Sequence, residues 1–231
     1  MRTMHRELAV GLILVSLQLG ASMASAQDRE ARDLEGFDSI AVGGGVDVYL
    51  RQGDGFRVEV DSARIDTDVR GGTLVVGRRA SLFGWFSFGD SGAVYVTLPT
   101  LVSVTASGGS DVESEGRISG SELEIRASGG SDVALEVAVE RLSVQTSGGS
   151  DVRLSGSALS ASFESSGGSD LDARDLRASA ANLRSSGGSD MSVTVVESLV
   201  ARASGGSDIS YAGTPASVDV ESSGGADVTR R

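Results

Sequence analysis

Residues 107–111 read "SGGSD", and the same five residues return starting at Ser128, Ser147, Ser166, Ser186 and Ser204. The starts are separated by 21, 19, 19, 20 and 18 residues, and a further 19 lead to a variant, "SGGAD", at residues 223–227. A fixed period near 20 residues marks a solenoid in which each repeat contributes one coil. A second variant, "GGGVD" at residues 43–47, precedes Ser107 by 64 residues, a separation that at this period predicts about three more coils between them.

Around the motif the hydrophobic pattern has period 2. Three residues before the first Ser stand Val104, Ile125, Val144, Phe163, Leu183, Ala201 and Val220; five before stand Val102, Leu123, Leu142, Ala161, Ala181, Leu199 and Val218. The position just before the motif holds only Ala, Ser or Thr, and the position just after its Asp is always apolar, from Val112 to Val228. Such alternation describes a strand with one buried face. Continued through the motif, the same parity turns its second Ser inward and its Asp outward. The two variants agree, because Val46 and Ala226 take the inward position while Asp is kept.

Each repeat thus supplies a strand, a Gly-Gly bend, a second strand and a variable return segment, and no single repeat can bury its apolar face. Stacked coils can, which predicts an all-β, parallel β-helix with coils of about 18–21 residues. Hairpins in a sandwich would show turn signals every 8 to 12 residues and no fixed motif. A helical solenoid is inconsistent with the period of 2.

The chain ends bound the rest. Residues 1–26 combine basic Arg2, His5 and Arg6, the apolar run "LAVGLILVSLQLG" and a small-residue "ASA" site, which together read as a secretory signal peptide. The run is shorter than the roughly 18–20 residues of a membrane span, and no later segment reaches that length. Residues 27–36 read as a linker. Residues 37–100 form irregular coils interrupted by an aromatic segment at 77–92, and residues 101–228 form the regular array. The expected location is periplasmic, envelope or secreted. The chain has no Cys, so lipidation at an N-terminal cysteine is excluded.

With the signal peptide removed there is no His, no Lys and no Cys, and 18 Arg stand against 31 acidic residues. Triads built on His, Cys or His zinc sites, Schiff-base chemistry and phosphate-loop lysines are thereby excluded. The negative charge disfavours nucleic acid and anionic lipid as partners. Carboxylate chemistry remains formally open, but Asp172 with Arg174 is the only local pairing that suggests it. The expectation is a non-enzyme that meets an envelope protein or a polysaccharide, with a carbohydrate-binding or carbohydrate-degrading β-helix as the alternative.

Three sets of residues are candidates for function. The outward Asp111, Asp132, Asp151, Asp170, Asp190, Asp208 and Asp227 form a row that could take calcium, whose six to eight oxygen ligands would come from carboxylates, hydroxyls and turn carbonyls. No other cofactor is expected. The contrasting structural reading has these carboxylates accepting nearby backbone N–H groups. The glycine pairs Gly108 and Gly109, Gly129 and Gly130, Gly148 and Gly149, Gly167 and Gly168, Gly187 and Gly188, Gly205 and Gly206, and Gly224 and Gly225 are expected to make bends open only to Gly. Phe83, Trp85, Phe86 and Phe88, four of the ten aromatic residues, either contact a partner or cover the side or end of the solenoid.

The order "FDSIAVGGGVDVYLRQGD", "VRGGTLVVG", "VYVTLPTLVSVTASGGSDV", the "SGGSD" coils and "YAGTP" at residues 211–215 resembles the head GIN domain of the autotransporter adhesin family, over about residues 37–228. The resemblance implies a right-handed single-stranded β-helix, related in shape to pectate lyases but without their catalytic residues. It also implies a bacterial envelope or secreted protein for which adhesion is proposed. No C-terminal barrel segment of the autotransporter kind follows the array, so self-export is not expected.

Overall fold

The computed structural model describes residues 29–78 and 92–231, and within them every regular element is a strand. In chain order these are β1 (Glu30–Arg32), β2 (Ser39–Val42), β3 (Asp47–Gln52), β4 (Arg57–Val60), β5 (Ile65–Arg70), β6 (Thr73–Arg78), β7 (Ala93–Leu98) and β8 (Ser103–Ser107). The regular array follows as β9 (Asp111–Ser128), β10 (Asp132–Ser147), β11 (Asp151–Gly167), β12 (Asp170–Gly187), β13 (Asp190–Gly205), β14 (Asp208–Ala212), β15 (Ser217–Gly224) and β16 (Asp227–Arg230). From β9 onward each strand pairs in parallel with its counterpart one coil away, which makes a parallel β-solenoid.

The motif sets the register. Asp111, Asp132, Asp151, Asp170 and Asp190 are Cα partners in succession, and the row continues through Asp208 to Asp227. Coil length varies because the extra residues leave the ladder after the Asp. The long first coil runs five residues, Glu113 to Arg117, opposite the three of Ala134 to Glu136. Arg153 to Ser155 faces Asp172 to Asp175 with one residue over. These are bulges, and they return the chain to register before the next bend.

Alternation puts the core inside the coils. Val104, Ile125, Val144, Leu183 and Ala201 are fully buried, as is Phe163, the bulkiest of the wholly buried side chains. Two inward expectations differ. Leu101, not Val102, is buried where the array begins. In the last coil Val218 and Val220 keep inward parity but are 46% and 40% exposed, since among the described residues no strand lies beyond β15 to cover them.

The coils before Ser107 are arranged differently from the sequence expectation. β2 pairs with β8, and β3 with β9, at a constant offset of 64 residues. Thus the "GGGVD" coil lies directly against the first "SGGSD" coil, with none of the three predicted coils between. The intervening chain instead turns back and stacks on the other side, β6 on β2 and β7 on β3. It also sends out β4 antiparallel to β7, β1 antiparallel to β4 and β5 antiparallel to β6. These antiparallel strands pair with backbone groups that an open parallel edge would leave free.

Candidate functional site: the coil bends and the groove beside them

Every bend turns on its first glycine. Gly108, Gly129, Gly148, Gly167, Gly187, Gly205 and Gly224 all have φ between 65° and 83°, a region that costs L-residues with a Cβ. The second glycine shares it only at Gly109 and Gly130, while Gly149, Gly168, Gly188, Gly206 and Gly225 do not. The expectation that both glycines are conformationally required is therefore corrected from the third bend onward. There, an N–H to C=O bond between bends, such as Gly168 N–H to Gly148 O at 2.9 Å and Gly206 N–H to Gly187 O at 2.7 Å, holds successive coils together.

The inward Ser is more than a small residue. Ser110, Ser131, Ser150, Ser169, Ser189 and Ser207 are wholly buried, and a buried hydroxyl without a partner is costly. In four coils it donates to the carbonyl of the first Ser of its own motif: Ser150 to Ser147, Ser169 to Ser166, Ser189 to Ser186 and Ser207 to Ser204, at 2.9 to 3.0 Å. Ser131 donates to Ala106 O, and Ser110 accepts the N–H groups of Gly45 and Val46. Beside it runs a second buried polar row, where Thr146, Ser165 and Ser169 bond one another and Ser185 bonds Ser189. Period-2 parity located the serines, but which carbonyl each would satisfy depends on the bend itself.

The Asp row is exposed at six of its seven members, with Asp151 half-buried. Its backbone N–H groups are used between coils, as in Asp170 N–H to Ser150 O at 3.1 Å. The carboxylates largely face solvent, and the expected carboxylate-to-backbone bond is present at Asp132. Asp132 does gain some support from the Asp151 N–H and Arg153, yet partial burial and its neighbours Asp111 and Asp151 raise its pKa above the usual 3.8. Asp47 joins the row above Asp111, and burial, then Asp111 and Asp61, raise its pKa against the pull of Arg78. Among the described residues no three acidic groups converge as a metal site would require.

The Asp172 and Arg174 pair closes on itself. Arg174 donates to both carboxylate oxygens, at 2.8 and 2.5 Å, and this bonding holds Asp172 below the usual carboxylate range. A general acid would need the opposite shift. Phe83, Trp85, Phe86 and Phe88 lie outside the described residues. On β3 and β7, Tyr49 and Tyr95 stack at 5.1 Å, and the Arg29 guanidinium lies 3.3 Å over the Tyr95 ring.

Two glycines outside the motif are also confined: Gly156, which the sequence did not mark, and Gly213 of the "YAGTP" turn. A Cβ on Gly156 would lie 2.0 Å from Val137 O, and one on Gly213 would lie 2.0 Å from Val195 O. Their signal was a lone Gly in a return segment and the Gly of "YAGTP", neither of which repeats every coil.

An open groove of about 500 Å³ runs along the bends. Its floor is the backbone of Ala127, Thr146 and Ser165. One wall is the row of first-motif serines, and the other is Arg126, Gln145, Glu164 and Arg184. A second hollow continues the line past Arg202, Ser204, Glu221 and Ser223.

The sequence profile of the family described as "Putative auto-transporter adhesin, head GIN domain" matches residues 36–215. The chain belongs to the head GIN domain family. Solved structures share its fold. A "putative adhesin" from Bacteroides fragilis is 24% identical with a TM-score of 0.78, over 88% of this chain and 96% of that one. A "putative adhesin" from Parabacteroides merdae is 19% identical with a TM-score of 0.68, over 88% and 95%. A "Putative lipid binding protein" from Parabacteroides distasonis is 18% identical with a TM-score of 0.67, over 88% and 96%. No curated protein matches the chain. In this head GIN domain the coil register carries on beyond residue 215, through β15 and β16.

Proposed function

We propose that this head GIN domain is an exported, non-enzymatic module that presents a stiff, repetitive polar surface at the cell envelope and serves adhesion or another interaction there. The observation that carries this reading is the in-register exterior. Each coil adds the same outward positions at the same height, one strand spacing of about 4.8 Å further along, so hydroxyls and charges recur as a ladder. The least variable residues, those of the bends, are used in folding: their glycines set φ, their inner serines satisfy carbonyls and their N–H groups join coils. Membership of an adhesin-named family supports the same reading, and the basic, apolar and small-residue order of residues 1–26 supports export.

The test has two parts. The purified chain is expected to pull down with isolated bacterial envelope material, and to release neither reducing ends nor unsaturated products from a polysaccharide panel. Turnover of any polysaccharide, or no retention by envelope material, would overturn the proposal.

A further inference from the structure

The groove beside the bends has unused hydrogen-bonding capacity. Among the described residues, the hydroxyls of Ser128, Ser147 and Ser186 and the amide of Gln145 take no hydrogen bond inside the protein, and Gln145, Ser147 and Ser186 are exposed. Charges on the opposite wall are each paired with one of opposite sign: Arg184 lies 3.6 Å from Glu164, and Arg126 pairs with Glu124. Further along, Arg202 reaches Glu221 at 2.9 Å. The groove therefore has no net field to draw a polyanion or a polycation, and the chain as a whole, at a net −12, repels the former. What it offers is a line of groups that both donate and accept, renewed at every coil. The chemistry that answers such a line is a neutral polymer of hydroxyls. An extended β-linked hexopyranose chain advances by close to one strand spacing per sugar, so each successive sugar would meet the next Ser of the row.

We propose that the groove between the first-motif serines and the Arg126, Gln145, Glu164 and Arg184 wall binds a neutral, linear glycan lying along the solenoid axis. This rests on the interaction reading above and deepens it by naming the face and the ligand class. The shallow groove lacks an aromatic platform among its lining residues, so affinity comes from many weak polar contacts and must grow with ligand length.

The full chain is titrated calorimetrically with cellohexaose and chitohexaose, with the corresponding trimers, and with polygalacturonate. Binding of at least one neutral hexamer, at least tenfold tighter than its trimer, is expected, with no binding of polygalacturonate. Ser147→Trp with Ser166→Trp should fill the groove and weaken hexamer binding at least tenfold, and Gln145→Ala should weaken it severalfold. Ser160→Trp, on an exposed position away from the groove, should leave it unchanged. The length dependence needs no variant, so it decides the matter even if the double substitution fails to fold. No binding of either hexamer, equal binding of trimer and hexamer, or hexamer binding indifferent to the groove substitutions in a folded variant would each overturn the assignment. Envelope retention measured in parallel separates the two readings: retention without hexamer binding removes the glycan groove and leaves the interaction function standing, whereas loss of both removes both.

Discussion

Alanine placed at Gly187 or at Gly149 tests whether the bend is a stacking device. Both are glycines of the repeated motif, but their surroundings differ. Gly187 has φ 83°, and a Cβ there would lie 2.9 Å from the carbonyl oxygen and 3.1 Å from the nitrogen of Gly167 in the adjacent coil. The left-handed conformation costs an L-residue about 1–2 kcal/mol. The contact adds to this, because Gly167 O also accepts the Gly188 N–H at 2.8 Å, and moving the coils apart weakens a bond of about 1 kcal/mol net. Gly187→Ala is thus expected to destabilise the chain by about 2–3 kcal/mol. Gly149 has no positive φ and no atom within 4 Å of a Cβ. Gly149→Ala is expected to be neutral or to stabilise by up to about 1 kcal/mol, since it narrows the unfolded ensemble. Guanidinium unfolding followed by far-UV circular dichroism, with equal slopes for the two variants and wild type, reads the difference. Equal losses at the two positions would refute the reasoning, because they would mean that both glycines serve conformation alike.

Five further outcomes follow from the same geometry. Gly156→Ala, whose Cβ would be 2.0 Å from Val137 O, should cost more than any motif glycine, about 4 kcal/mol or above, read as a lowered melting temperature or loss of the folded signal. Ser189→Ala removes the donor to Ser186 O and the partner of Ser185 and should cost about 1–3 kcal/mol, with a Ser185→Ala, Ser189→Ala double-mutant cycle showing coupling; additivity would contradict the buried network. For pH, the pKa of Asp132 is raised in the fold, so its contribution is most favourable below about pH 3.8 and is lost as pH rises through the folded value. Asp132→Asn should therefore melt higher than wild type at pH 7 and approach it below that point. Asp172→Asn should melt lower at pH 7, the Arg174 pair being lost only as pH falls through a lowered pKa. Finally, calcium and magnesium chloride at equal ionic strength should raise the melting temperature equally by screening the Asp row; a calcium-specific rise reversed by chelator would assign that row to a metal.

Much of the fold could be read from the chain because its two periods are local facts. Period 2 declares which residues face the core, and the recurrence near 20 declares the coil, so Phe163 and Ile125, both wholly buried, and the inward Ser of each motif were visible without a partner in view. The family likeness was legible for the same reason, since its signature is the bends. The bulges that absorb unequal coil lengths were not legible, because an extra residue after Asp172 or Glu113 leaves the alternation on both sides intact.

What the sequence by itself determined is the coil: its parity, its bend and its acidic exterior. The tertiary structure alone decided the order of the coils and the worth of each residue in the bend. Backbone pairing between parallel strands is indifferent to how much chain separates them, so β3 can pair with β9 across 64 residues as readily as the later coils pair across about 20. The same holds at the bend. The two glycines of "SGGSD" are identical in sequence, and only the left-handed backbone at the first, together with the close approach of the neighbouring coil's backbone, makes it indispensable and leaves the second open in the later coils.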